Sequence, residues 1–441
     1  MRAAAVRIVG CLSQEHWLVG ASLTRISLGI WGLYYLILHW PVRSALYGSA
    51  SAWPVERMAE TTLPANVFRL ATSDFSLDVL YFVAIVVAAT FALGWHARVT
   101  GAMYWLIIWS IHERNPLVAD GGDNIMRIVL LFLVLVNTSA FVSLDALRRR
   151  RSLPRGTARG TARVRAFLAP TIAVVHNFGV LLILGQLCLL YISTGLYKVM
   201  GELWQNGTAV YYILRVDEYS WPGVAEFFYR NPYVIVGATY GTVLFELLFA
   251  PAMLNRFTRH LVLTAGVGFH VSIAFIMGLI TFGWSMLSYY PLFVTDREYD
   301  SLVRRVNERF RLLVFYDGWC SFCVRSIRWL RRFDILGLIR YVSFRDDGVI
   351  ERYDLDPRRA ESRILGRDEK GRVTEGIVTL IKIALRCPPL WPTVLLLVPA
   401  YLLMGQGAYD VVADRRVILV PGGCASHCDP EARRRPANRT R

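Results

Sequence analysis

A series of long apolar runs limits this chain more than anything else in it. The hydrocarbon core of a bilayer takes about 20 consecutive apolar residues in a helix. Runs of that order recur at roughly 17–40, 76–95, 99–112, 124–145, 170–197, 233–252 and 259–280, with a short last one at 281–296. In lipid only helices and closed barrels satisfy their own backbone, and runs of this length read as helices. The expected architecture is an α-helical polytopic membrane bundle of about eight spans. Charged residues make up only 19% of the chain, below the roughly 25% of soluble domains. The formal net charge is nevertheless +16. Such a surplus can signal nucleic acid, but here the arginines flank apolar runs, which is the charge pattern of membrane topology. The expected partner is therefore the lipid bilayer, with no nucleic acid, and the expected location a cell membrane, multi-pass.

The arginines also orient the bundle. Arg148 to Arg151, followed by Arg155, Arg159, Arg163 and Arg165, form the densest basic loop, which belongs on the cytoplasmic side. Eight spans then put the other basic loops on the same side and the acidic loop from His112 to Asp123 outside. Both termini are expected to be cytoplasmic. A single kinked helix across 259–296 would instead move the C-terminus out. The short apolar stretch before Cys11 is broken by Arg7 and does not read as a lipoprotein cleavage box.

Past residue 310 the pattern changes. Leu312 to Tyr316 reads as a buried strand, 320–333 as an amphipathic helix and Leu338 to Phe344 as a second strand. Residues 362–366 and 372–376 flank the hairpin signal Asp368-Glu369-Lys370-Gly371, and 376–386 is helical. That outline predicts a small α/β thioredoxin-like domain. The run Leu390 to Met404 is short and interrupted by proline, so it reads as an in-domain helical pair. The expected division is a membrane domain at 1–296, a basic linker at 297–311, the α/β domain at 312–428 and a disordered basic tail at 429–441.

Seven cysteines are too few and too scattered for a disulfide scaffold. Cys320 and Cys323 form a CxxC between the first strand and its helix. A thiol at a helix N-terminus meets free amides and the positive end of the dipole, which favour thiolate. Cys320 is thus the expected attacking sulfur, and Cys323, one turn on, the resolving one. Trp319 would shield Cys320. Asp317 is placed either to accept a proton or to fix the turn. The competing reading is half of a zinc site completed by Cys424, His427 and Cys428. The strand-to-helix setting favours redox, so no metal is expected, and Cys424 with Cys428 is a candidate second redox pair. Cys11, Cys188 and Cys387 read as small buried apolar residues.

Tyr316-Asp317-Gly318 before the CxxC, the helix at Gly376, Pro389-Leu390-Trp391, and Tyr409-Asp410 with Ala413, Arg415 and Arg416 resemble the DCC-type thiol-disulfide oxidoreductase-like family. The resemblance implies a thioredoxin-like fold, dithiol/disulfide exchange by Cys320 and Cys323, and a thiol or disulfide partner. No proline precedes the Ile364-Leu365 strand, so the substrate-guiding cis-proline of thioredoxins is missing.

Ionisable residues within apolar spans point to function by default. Four stand out: Arg25, Lys198, Glu246 and His270. For Arg25 and Glu246 the bland reading is mutual structural pairing. Lys198, at an outer membrane edge, is a candidate base or a lysine snorkelling to the interface. Arg114-Asn115-Pro116 with Gly121-Gly122-Asp123, Gly195-Leu196-Tyr197-Lys198, Trp204, Asn206-Gly207-Thr208-Ala209, Tyr240-Gly241 with Glu246, and His270 are similar to the HTTM family, the membrane domain related to vitamin K-dependent gamma-carboxylase. In the carboxylase, a lysine in the GxxK position deprotonates a reduced quinone, so the resemblance hands that role to Lys198 and makes a membrane quinone the candidate cofactor. Lys198, His270 and Glu246 would line a cavity near the outer leaflet, with Asp123 at its mouth. Departures are the lack of a histidine around Gly122 to Met126 and of the carboxylase's large luminal domain, so protein glutamate carboxylation is not expected. Three functions stand open: a membrane-anchored thiol-disulfide oxidoreductase, a quinone- or lipid-modifying membrane enzyme with an accessory redox domain, or a non-enzymatic membrane binding protein.

Overall fold

The computed structural model describes residues 12–391 apart from 50, 54–64, 152–158, 218, 219, 222, 335 and 389, together with the isolated residues 10, 405 and 407. The chain divides into two compact units, Met1–Arg297 and Glu298–Arg441.

The first unit is helical. Its main helices are α1 (Leu18–His39), α2 (Asp74–Leu93), α3 (Ala97–Arg114), α4 (Gly121–Leu133), α5 (Arg159–Met200), α6 (Pro232–Ala252), α7 (Arg256–Ile276) and α8 (Ile280–Leu287). Among the described residues, five stretches are long and apolar enough to cross a bilayer: Leu18–Tyr47, Asp74–Leu93, Phe167–Met200, Pro232–Ala252 and Arg256–Ile276. Their outward faces carry Ile37, Phe82, Leu189, Leu244 and Leu261, all exposed, as lipid-facing residues would be.

Two expected spans are shorter than their apolar runs. The run 124–145 supplies only α4, 13 residues long, which rises about 20 Å. The polar stretch Asn137-Thr138-Ser139 ends it, because its backbone finds better partners than a continued helix: the Asn137 amide donates to His176 Nδ1. The run 281–296 supplies only the eight-residue α8 and a 3-10 turn at Tyr290–Phe293, where Pro291 cannot continue a helix.

One end of this unit is held by polar contacts. The Asp296 carboxylate accepts the amides of Leu18 and Val19 at 3.1 and 2.9 Å, closing the open N-terminus of α1. His176 Nε2 lies 2.6 Å from the His16 carbonyl, and the His16 amide donates to Asn177 at 3.0 Å. The Asp145 carboxylate accepts the amides of His96 and Ala97, capping α3. Residues 16–19, 96–97, 145, 176–177 and 296 thus share the polar contacts that start α1 and α3. Beyond the far end of α1, Arg114 donates to the carbonyls of Gly48 and Trp53, and Asn115 to that of Leu46.

The second unit is an α/β domain. Most of the expected linker, 297–311, lies in a helix, Asp296–Phe310. Strands β1 (Leu312–Tyr316), β2 (Ile339–Ser343), β3 (Leu365–Asp368) and β4 (Val373–Glu375) make one sheet in the order β2-β1-β3-β4. β1 and β2 are parallel; β3 and β4 run antiparallel to their neighbours. Alternation along β1 sends Leu312 and Val314 to one face, against Ile327 of helix α9 (Ser321–Leu330) and Ile383 of helix α10 (Gly376–Arg386). Phe315 goes to the other face, against Val349, Leu355 and Ala360 of two short helical turns, Val349–Tyr353 and Pro357–Ser362, and the segment between them. The β3–β4 hairpin closes where the Asp368 carboxylate accepts the amides of Lys370 and Arg372.

Candidate functional site

In the α/β unit, the parallel β1–β2 pairing sets Tyr316 beside Ser343. The segments that leave the two strands therefore meet at one sheet edge: Asp317 to Cys320 after β1, Phe344 and Arg345 after β2. Gly318 leaves room there: a Cβ would lie 2.4 Å from Ser343 Oγ, which accepts the Arg345 amide, so a larger residue would have to displace that side chain. Cys320 is the N-cap of α9, and the Cys323 amide points at its Sγ from 3.5 Å. Cys320 is a free thiol only 2% exposed, and Cys323 is half-buried. Asp317 accepts the Trp319 amide at 3.0 Å and pairs with Arg345 Nε and Nη2 at 3.2 and 3.1 Å. Arg345 reaches on to Glu361 and lies 4.7 Å over the Trp319 ring, which is 36% exposed beside Cys320. Of the two readings for Asp317, this geometry engages both oxygens in the turn and the ion pair.

Sequence reasoning did not single out Arg345. The signal for it was topological: a residue just past a strand parallel to β1 must emerge at the CxxC edge.

Cys387 is fully buried, and burial pushes its thiol up to about 11. Among the described residues no group of three or more His, Cys, Asp or Glu side chains could hold a metal. Cys11, Cys424, His427 and Cys428 lie outside the described residues.

In the helical unit, α5, α6 and α7 line much of an open-sided cavity of about 620 Å³. Lys198, Glu246 and His270 all line it, with Tyr191, Thr194 and Trp204. The rest of its wall is mainly apolar and aromatic, including Phe228, Ile235, Phe269 and Phe282. Lys198 Nζ is 2.8 Å from both Glu246 oxygens and lies 5.2 Å from the Trp204 ring centroid. His270 Nε2 is 2.7 Å from the Tyr191 hydroxyl, which is itself 2.9 Å from that of Tyr290.

Two expectations about this unit are corrected. Asp123 does not line the cavity: it is buried at the start of α4, where its carboxylate accepts the Asp120 amide and lies 3.4 Å from His112 Nε2. Arg25 does not pair with Glu246. It is fully buried and directs its donors to main-chain carbonyls, at Phe91 (2.8 Å), Thr138 (3.0 Å), Val142 (2.7 Å) and Ala92. The orphan carbonyls at the α2 C-terminus need a donor where no water reaches, and arginine supplies five N–H groups.

Apolar helices long enough to span a bilayer, joined to a small α/β unit that presents a CxxC at a helix N-terminus, define a polytopic membrane protein with an attached dithiol domain. Residues 66–297 match the HTTM domain and residues 314–420 the DCC1-like thiol-disulfide oxidoreductase. The chain belongs to the HTTM-domain family and carries a DCC1-like domain behind it. The sporulation-delaying protein SdpB of Bacillus subtilis (strain 168) is 26% identical over 221 residues, 49% of this chain and 63% of that protein. The uncharacterized protein YitO of the same organism is 24% identical over 240 residues, 52% of this chain and 71% of that protein. The chain thus spans less than two thirds of the length of SdpB. No solved structure matches the chain.

Proposed function

We propose that this protein is a membrane-anchored thiol-disulfide oxidoreductase. The observation that carries the reading is Cys320 at the α9 N-cap, with the Cys323 amide aimed at its sulfur. Cys320 attacks a partner disulfide, forming a mixed disulfide and releasing one partner thiolate. Cys323 then attacks Cys320 Sγ, releasing the second partner thiolate and leaving a Cys320–Cys323 disulfide. The partner gains two electrons and the chain loses two; a thiol reductant resets it. The β2-β1-β3-β4 order, with β3 alone running against the other three strands, supports the thioredoxin-like reading of the domain. At neutral pH, Cys320 alkylates faster than Cys323 and far faster than the buried Cys387. Cys320→Ser abolishes exchange, and Cys323→Ser accumulates mixed disulfides. Faster alkylation of Cys323 reverses the two roles, and stoichiometric zinc in the purified protein overturns the redox reading.

A second reading rests on the cavity: the helical unit binds a small amphipathic molecule, a membrane quinone or a lipid. An apolar wall with a few converging polar groups is the usual form of such a site. Lys198 is its candidate base, held by Glu246, with His270 beside it. In the membrane, eight crossings place both termini in the cytoplasm and Lys198 toward the outer face. The Asp296 contact with the start of α1 supports an even number of crossings between residues 18 and 296.

A further inference from the structure

His270 is 1% exposed and lines the α5–α6–α7 cavity. Its Nε2 is committed to Tyr191, whereas its Nδ1 is buried and has no hydrogen-bond partner. Buried ring nitrogens are seldom left so, and the exceptions call for a ligand or water. The open space that His270 borders is the cavity. Lys198, by contrast, already has both Glu246 oxygens. Resting on the reading of this cavity as a ligand site, we infer that Tyr290, Tyr191 and His270 form a reversible hydrogen-bond relay through which His270 Nδ1 grips a small apolar molecule bearing either a hydroxyl or a carbonyl group.

The chemistry comes from counting hydrogens. The three groups form a chain, Tyr290 hydroxyl to Tyr191 hydroxyl at 2.9 Å and Tyr191 hydroxyl to His270 Nε2 at 2.7 Å. Each hydroxyl can donate one hydrogen and accept others, and a neutral imidazole carries one N–H. If His270 Nε2–H donates to Tyr191, Tyr191 donates to Tyr290, and Nδ1 is left as an acceptor for a ligand O–H. If Tyr290 donates to Tyr191, Tyr191 donates to Nε2, and Nδ1–H becomes a donor to a ligand carbonyl. Either direction leaves Nδ1 as the open position; the second gives every hydrogen of the chain an acceptor, and the first leaves the Tyr290 hydrogen over. The aromatic packing keeps the ring in place: Phe269 and Phe282 lie 5.1 and 5.9 Å from it, centroid to centroid.

The test uses three probes with one apolar body: 1-naphthol, 1-naphthaldehyde and 1-methylnaphthalene. Binding to the full chain in nanodiscs is measured by equilibrium dialysis, with empty nanodiscs subtracted. A single buried hydrogen bond predicts naphthol and naphthaldehyde each bound about fivefold tighter than methylnaphthalene. His270→Phe erases both advantages and leaves methylnaphthalene unchanged. Tyr290→Phe removes the terminal acceptor, so Tyr191 must donate to Nε2; naphthaldehyde keeps its advantage and naphthol loses most of its own. That split is a readout a merely structural role would not move. Thr194→Trp, which fills the cavity, abolishes saturable binding of all three. Saturable binding that survives Thr194→Trp, or none in the wild type, sinks the cavity as a ligand site. Saturable cavity binding whose preferences ignore His270 and Tyr290 leaves that site standing and overturns the relay. Each variant is scored only as a monodisperse protein; if His270→Phe aggregates, the smaller apolar His270→Leu carries the test with the same loss expected.

Discussion

At the scale of single residues, the chemistry of the dithiol depends on side chains that never touch a substrate. Cys320 is nearly sealed from solvent, and Trp319 beside it lies under Arg345. Arg345 is in turn fixed by Asp317 and Glu361. An arginine stacked on an aromatic face contributes about 1 kcal/mol, and removing that amount from a closed state raises its open fraction about fivefold. Arg345→Met should therefore speed Cys320 alkylation by about that factor. It should also cost the α/β unit about 1–2 kcal/mol, because the Asp317 carboxylate loses a partly buried partner. The buried Cys387 thiol reports the second effect, since a reagent reaches it only when the domain opens. Cys320 alkylation at the wild-type rate in the variant would remove the shielding role of the Arg345–Trp319 contact. In the helical unit the same rule holds at Arg25, whose charge serves main-chain carbonyls instead of a carboxylate.

Helices and strands contribute through how closely they approach. α1 packs on α2 at Gly29, where a Cβ would lie 2.7 Å from both Cα and Cβ of Ala92. Small residues that let backbones meet are the main packing device between helices in lipid, where burial of apolar surface drives little. Gly29→Ala is expected to destabilise the bundle by about 1–3 kcal/mol through overpacking. Gly185→Ala on α5, where a Cβ meets nothing within 4 Å, is the matched control and should leave stability unchanged or slightly raised. Thermal unfolding of the detergent-solubilised protein compares the two, and equal melting temperatures would show that α1 and α2 can separate freely. The helices that fell short of their apolar runs, α4 and α8, also belong to this scale. α4 gives way to a polar stretch whose backbone finds a partner on α5, and α8 stops short of Pro291.

For the whole molecule, the arrangement in the membrane is set by which polar contacts share an end. Residue 296 meets the start of α1, and Asp145 caps α3 near the basic stretch that comes after it. A reporter fused at Arg441 should give a cytoplasmic signal, and one inserted near Asp120 an exterior signal. An exterior signal at Arg441 would require an odd number of crossings and would undo the eight-pass arrangement. The membrane class, the five helices with unbroken apolar runs, the succession of strands and helices in the α/β unit and the Cys320–Cys323 pair were all legible in the chain alone. Each of these comes from local pattern: apolar length, two-residue alternation, a turn dipeptide, a cysteine spacing. Lys198, Glu246 and His270 were legible too, because charge inside an apolar run is visible without a fold. Their partners were not, and the packed fold alone assigns them. Lys198 meets Glu246 across 48 positions, and Tyr191 meets His270 and Tyr290 across 79 and 99. The same holds for Arg25 turning to carbonyls, Asp123 turning to His112, and Arg345 arriving beside the CxxC. Hydrogen-bond partners brought together over such separations leave no periodicity in the chain, since they depend on which helix faces and strand ends the packing of apolar surfaces sets side by side.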